Sequence, residues 1–175
     1  MEVEKYFQRI DQSKIAPWFL AKAKQLVANC LAKGAEFYVL GDGGFRTPEA
    51  QDALYAIGRT VDLSRKHVTN APAYTSYHNY GIALDFARDL DATKDGLQPD
   101  WNKDDYKILQ TEAHALGLLS GLDFSSFPEA PHIQLPFRAG ATGDMKKILL
   151  KDGIEAVWAH CLENLKASSE FKNYY

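Results

Sequence analysis

Apolar residues recur at helical spacing between Ala16 and Lys33, where Phe19, Ala23, Leu26 or Val27, Cys30 and Leu31 share one face and Gly34 stands where a helix closes. Phe37 to Leu40 is a short β-rich run that ends in the Gly41-Asp42-Gly43-Gly44 loop. Thr47-Pro48-Glu49 then has the form of an N-cap followed by proline in the first helical turn, which predicts a helix over residues 48 to 58. Val68 to Ser76, rich in Asn, Ala, Pro and Thr, is expected to be loop. Ile82 to Phe86 alternates with period two, placing Ile82, Leu84 and Phe86 on one face and Ala83 and Asp85 on the other. Residues 104 to 117 predict a helix with Tyr106, Leu109, Ala113 and Leu116 as its stripe and Gly117 as its stop. Pro131 to Leu135 alternates again, with His132 and Gln134 on one side and Ile133 and Leu135 on the other. Thr142 to Leu165 is helical apart from an interruption at Gly153, and its stripe is Ile154, Val157, Trp158, Cys161, Leu162 and Leu165.

Helices and strands are thus interleaved without the glycine-rich turn of a nucleotide fold. The pattern predicts an α+β protein: a small, mostly antiparallel sheet, flanking helices and additional C-terminal helices. With 175 residues and no internal repeat or low-complexity linker, one core is expected. Residues 1–137 should form the main domain, with 138–175 a helical extension packed on it.

Composition narrows the choices. Apolar residues make up 46% and charged residues 25%, and 20 basic against 23 acidic side chains give a net charge of −3. No basic run supplies the phosphate contacts that a nucleic-acid partner requires. Cys30 and Cys161 lie far apart in sequence and outside any Cys-x-x-Cys pair, and are expected to be buried thiols. The acidic start Met1-Glu-Val-Glu has neither the basic stretch nor the apolar run of a secretory leader, so synthesis in a cytoplasm is expected. No apolar stretch reaches the roughly 20 residues of a membrane span. On the C-terminal stripe the lysines are balanced by acidic residues, which favours docking on the domain over insertion.

Three side chains fit a hydrolytic metal site: His78, Asp85 and His132, two imidazoles and a carboxylate that leave a fourth position open. Asp85 and His132 sit on alternating segments that can face the same side if they pair, and a turn at Gly81 could bring His78 back toward Asp85. Glu129 lies three residues before His132, between Pro128 and Pro131, in extended chain and not on a helix. A carboxylate there can take a proton from an attacking water and deliver it to a leaving amine. By spacing alone, the same residues also fit solvated or locally bonded side chains.

Resemblance separates the two readings. Ser76-Tyr-His78-Asn-Tyr-Gly81-Ile-Ala83-Leu-Asp85 resembles the Ser-x-His-x-x-Gly-x-Ala-x-Asp motif of the D-alanyl-D-alanine and L-alanyl-D-glutamate zinc peptidases, which share the hedgehog/DD-peptidase fold, and Glu129-Ala-Pro-His132 resembles their second motif. Gly44-Phe-Arg46-Thr47, Gln51, Leu54-Tyr55, Gly58-Arg59-Thr60 and Val68 to Ala71 are similar to the phage-type L-alanyl-D-glutamate endopeptidases, and the likeness covers residues 15 to 137. It implies zinc held by His78, Asp85 and His132, Glu129 as general base, and Arg46 on the scissile carbonyl oxygen, where a guanidinium stabilises an oxyanion. Ser76 and Gln51 are the substrate-binding candidates, although Gln51, like Arg59, also suits a structural role holding the loop before the metal. Glutamate at 129 replaces the aspartate of many phage-type members and is shared with the carboxypeptidase and dipeptidase branches.

The implied protein is a monomeric phage endolysin that cuts the L-alanyl-D-glutamate bond of the bacterial peptidoglycan stem peptide, reaching the wall after a holin opens the membrane. Alternatives are a D,D-carboxypeptidase or dipeptidase releasing terminal D-alanine, and a non-catalytic zinc-bearing module of the hedgehog kind. Without the motifs, Arg46 would be read as pairing with a carboxylate. His67, His114 and His160 have no spaced partner and are expected to be solvated. Asp91 to Gly96 opens like a calcium loop, but Gln98 and Asn102 stand where an aliphatic residue and a glutamate belong. The Gly41 to Gly44 loop lacks both phosphate-binding fingerprints and is expected to be a flexible rim.

Overall fold

The computed structural model describes residues 3–91 and 97–168. Among the described residues five helices, α1 (Pro17–Ala32), α2 (Pro48–Ala56), α3 (Lys107–Ala115), α4 (Thr142–Asp152) and α5 (Ile154–Ala167), surround five strands, β1 (Glu36–Val39), β2 (Ala83–Asp89), β3 (Pro99–Asp100), β4 (Leu119–Ser120) and β5 (His132–Gln134). The sheet runs β1-β2-β5-β4, with β3 also paired to β2, and every ladder is antiparallel. This is the expected α+β architecture.

The helix limits follow from their caps. Pro17 opens α1, and Gly34, at φ +77°, follows its end. The Thr47 side chain accepts from the Ala50 amide at 3.2 Å to start α2. The stretch read as one helix from 104 begins as a 3-10 turn, Lys103–Tyr106, because Asn102 caps it by accepting from the Asp104 amide; the α-helix starts at Lys107. The predicted 142–165 helix is two helices hinged at Gly153, where φ is +88°.

The core is one cluster shared by all layers. Phe19, Leu26 and Cys30 of α1, Phe37 of β1, Leu84 and Phe86 of β2, Leu109 of α3 and Ile133 of β5 are fully buried. Each such aliphatic or aromatic side chain contributes about 1.5–3 kcal/mol by leaving water. An N-terminal 3-10 turn, Glu4–Phe7, adds Tyr6 and Phe7, whose rings meet Tyr38 at 4.7 Å and Phe86 at 6.4 Å.

The C-terminal helices belong to the same cluster through Met145, Val157, Trp158, Cys161 and Leu165. Trp158 donates from Nε1 to the Tyr80 carbonyl at 2.8 Å, and the Tyr77 hydroxyl donates to the Gly140 carbonyl at 3.0 Å. Both cysteines are buried, and burial pushes their thiols up to about 12, so they are inert hydrophobes.

Candidate metal centre and cleft

The register of β2 against β5 places Asp85 directly opposite His132. Opposite residues of an antiparallel pair share a face, with Cβ atoms about 5 Å apart, so the ladder alone brings the carboxylate and imidazole together. His78 arrives from a 3-10 turn, Tyr77–Tyr80, whose N-cap Ser76 accepts from the His78 amide at 3.3 Å. Gly81 ends the turn at φ +63°, and a Cβ there would stand 2.1 Å from the Lys14 carbonyl oxygen. Only glycine meets both demands.

The three ligand atoms converge. His78 Nε2 is 3.2 Å from His132 Nδ1 and 3.3 Å from Asp85 Oδ2, and His132 Nδ1 is 3.0 Å from Asp85 Oδ1. The outer nitrogens are committed: His78 Nδ1 donates to the Gly44 carbonyl at 2.8 Å, and His132 Nε2 donates to Gln134 Oε1 at 2.9 Å. Each neutral imidazole therefore turns its lone pair inward, one through Nε2 and the other through Nδ1. Two facing lone pairs beside a carboxylate repel unless a cation sits among them. The donor set fits a metal ion, and outer partners that fix both tautomers are what a metal-binding histidine requires.

The electrostatics agree. Burial raises the pKa of Asp85, but the charges and hydrogen bonds of His78 and His132 outweigh it and hold the carboxylate well below its ordinary range. Burial keeps His78 below the usual histidine value and so neutral. For His132 burial acts downward too, but the hydrogen bond and charge of Asp85 prevail and raise it.

Glu129 stands at the edge of this set, its Oε2 4.0 Å from His132 Nδ1. Its backbone is fixed by Gly121, whose carbonyl accepts from the Glu129 amide at 3.0 Å, and by the His132 amide, which donates to the Glu129 carbonyl at 3.1 Å. A Cβ on Gly121 would lie 2.1 Å from that carbonyl oxygen. Burial raises the Glu129 carboxyl above the ordinary glutamate value, the direction a proton-transferring base needs.

Arg46 reaches into the site from the loop before α2. Its guanidinium donates to Asp85 Oδ2 at 2.6 Å, to Gln51 Oε1 at 3.3 Å and to the Asp42 carbonyl at 3.1 Å. Arginine has five N–H donors, so two remain for another acceptor. Gln51 is fully buried and lies behind the cleft wall, its amide nitrogen donating to the Ala71 carbonyl at 2.7 Å. The substrate-binding assignment to Gln51 therefore gives way to the structural one: its amide is spent on Arg46 and on the 69–71 loop. Arg59 holds that loop through the Thr69 carbonyl and Asn70. Ser76 lines the cleft while capping the His78 turn.

Arg46, Ser76, His78, Asp85, Glu129 and His132 line a cleft of about 1210 Å³ with Phe124, Phe127, Phe137, Trp101 and the 68–71 loop on its walls. The Phe124 ring lies 5.7 Å from that of His132. Gln134 and Gly121 were not singled out from sequence; Gln134 sits two residues from His132 on the same strand face, a signal that was there to find. The Gly41–Gly44 loop is not a loose rim, because the Asp85 amide donates to the Gly43 carbonyl at 2.8 Å and ties the loop to β2. His114 is bonded to Asp123 at 2.8 Å and His160 to Asn164 at 3.1 Å, so neither is simply solvated, whereas His67 is exposed. The calcium-like segment falls largely on residues 92–96, outside the described residues.

Residues 12–128 match the protein family described as VanY, D-alanyl-D-alanine carboxypeptidase. The chain belongs to this family. The matched range holds Arg46, His78 and Asp85 and stops one residue before Glu129. A curated relative, the peptidoglycan L-alanyl-D-glutamate endopeptidase CwlK of Bacillus subtilis (strain 168), is 34% identical over 131 residues, which span 70% of this chain and 74% of CwlK. The crystal structure of the Serratia marcescens L-Ala D-Glu endopeptidase ChiX is similar in fold, with a TM-score of 0.50 and 19% identity over 73% of this chain and 84% of ChiX. Among the described helices of this VanY-family chain, none is long and apolar enough to cross a membrane.

Proposed function

We propose that this VanY-family protein is a zinc-dependent peptidoglycan endopeptidase that cuts between L-alanine and D-glutamate of the stem peptide. What carries the proposal is Glu129, a partly buried carboxylate with a raised pKa held 4.0 Å from a convergent His-Asp-His donor set. The choice of bond is supported by the 34% identical relative named for that cleavage. His78, Asp85 and His132 would hold the zinc, which supplies Lewis acidity toward a carbonyl and acidifies a water. Glu129 takes the proton of the attacking water and passes it to the departing amine nitrogen. Arg46, fixed by Asp42, Gln51 and Asp85, turns its two remaining N–H groups toward the oxyanion that develops as the carbonyl is attacked.

The setting we propose is a bacteriolytic phage endolysin, made in the host cytoplasm and acting as a monomer once the membrane is opened; its support is the phage-type likeness of the segment from Gly44 to Ala71. The test is mass spectrometry of fragments released from purified peptidoglycan, with zinc and with a chelator. New amino-terminal D-glutamate that disappears on chelation is the expected result. Free D-alanine instead would move the cut to the end of the stem, the reading favoured by the family's description. Zinc binding with no release would leave a binding module. Lysis of host cells only after the membrane is permeabilised is the result expected of an endolysin.

A further inference from the structure

Of the large apolar side chains exposed among the described residues, Val61, Leu63, Leu90 and Leu150 lie away from the cleft, while Val68, Trp101 and Phe137 line it. Phe137 is engaged, its ring 6.1 Å from both Tyr77 and Phe124. Trp101 is not: 55% exposed, its indole has no ring or hydrogen-bond partner among the described residues. An indole left open on a cleft wall offers a ligand a large flat apolar face together with an N–H donor.

The backbone beneath it is held firmly. On one side Pro99–Asp100 pairs with Arg88–Asp89 of the central strand, and the Tyr106 hydroxyl donates to the Asp100 carbonyl at 2.9 Å. On the other, the Asn102 amide donates to Asp100 Oδ1 at 2.9 Å, and the Asn102 side chain caps the next turn. The indole is presented on a fixed base. Close by in sequence Lys103 lines the same cleft, and so do the exposed hydroxyls of Ser125 and Ser126. The cleft volume of about 1210 Å³ exceeds the roughly 300–1,000 Å³ that suffices for a drug-sized ligand, and a dipeptide would not fill it.

We infer that Trp101 is a platform for a sugar ring, making its wall of the cleft a subsite for the glycan strand that carries the stem peptide. This rests on the L-alanyl-D-glutamate reading above. The L-alanine of a stem peptide is joined to the glycan through a single lactyl group, so a protein cutting after that alanine receives the sugar within about two residues' length, roughly 7 Å, of the scissile carbonyl. The axial C–H bonds of a pyranose pack on an indole face, and its hydroxyl and acetamido groups can pair with polar side chains that line the same cleft, such as Ser125 and Ser126. A flat, exposed aromatic face on a cleft wall that also carries the Ser125 and Ser126 hydroxyls suits a pyranose ring.

The test compares two substrates with the same peptide, one carrying its disaccharide and one stripped of it, cut by the wild-type chain, Trp101→Ala and Trp101→Phe. The platform predicts that wild type prefers the sugar-bearing substrate in kcat/KM by tenfold or more. Trp101→Ala should bring the ratio close to one, and Trp101→Phe should keep most of it. Peptide-free glycan strands supply a readout independent of turnover and of metal: calorimetry on the chelated protein should show binding at least tenfold weaker in Trp101→Ala. Equal cleavage of both substrates by wild type, or a ratio that Trp101→Ala leaves alone, overturns the platform while the cleavage site stands. Failure of wild type to cut either substrate between alanine and glutamate overturns the cleavage reading, and the platform with it.

Discussion

Asp85 and His132 face each other across the β2–β5 ladder with Oδ1 and Nδ1 3.0 Å apart, so a backbone register sets two of the three candidate metal-ligand positions. A preformed set binds without first ordering the chain, and whatever binds only the folded state stabilises it. Zinc at a hundredfold excess over its Kd should add about 2.7 kcal/mol and raise the Tm. The rise should vanish in His132→Ala and persist in Glu129→Gln; a Tm indifferent to zinc in the wild-type chain would count against the centre.

Glu129→Gln keeps the shape of the side chain and removes its capacity to take a proton. Zinc stoichiometry by elemental analysis should be unchanged, while kcat falls by about 10²–10⁴, the usual contribution of a general base. Retention of more than a tenth of wild-type kcat would assign the proton transfer elsewhere.

Because burial raises the Glu129 carboxyl in the folded chain, the fold favours its protonated form. The stability it contributes is present below its unfolded value and is lost as pH rises through its folded value. In chelated protein, Glu129→Gln should therefore be the more stable of the two at pH 7, and the difference should shrink toward pH 4. Urea midpoints across that range provide the comparison, and an opposite slope would mean that the carboxylate is stabilised in the fold.

Gly81→Ala puts a Cβ into a left-handed residue and 2.1 Å from the Lys14 carbonyl oxygen. The left-handed backbone alone costs about 1–2 kcal/mol. The turn carrying His78 must shift to relieve the clash, so zinc affinity should fall along with stability. Unaltered zinc affinity in a destabilised variant would separate the turn from the centre.

Gln51→Leu tests the connection behind the cleft. The Ala71 carbonyl loses its donor and Arg46 one of its three anchors. A buried unsatisfied polar group costs about 1–3 kcal/mol. If Arg46 acts on the oxyanion, kcat should drop more than KM rises, since Gln51 itself lies out of the substrate's reach.

Much of this arrangement could be read in the sequence because the signals were local. Alternation over 82–86 and 131–135 marked both site strands, and the capped or glycine-closed helices fell close to where they were expected. The two-residue strands β3 and β4 are too short to show a period and exist only because β2 and β5 are there to pair with. The task of Gly121 was hidden because it is defined only by how closely the Glu129 carbonyl approaches it, whereas the loop-holding role of Gln51 was legible and only its partners, Arg46 and the Ala71 carbonyl, were not. Trp101 carried no pattern at all and is conspicuous only once the cleft has walls.

The hydrogen bond from Trp158 to the Tyr80 carbonyl has an implication for protein engineering. The family match ends at residue 128, yet the turn that presents His78 is braced by an indole thirty residues farther on. Transplanting the matched segment alone into another protein would carry off His78 and Asp85 and leave behind Glu129, His132 and the helical brace of the His78 turn. A useful chimera has to move the C-terminal helical pair with the catalytic half, as a single cassette.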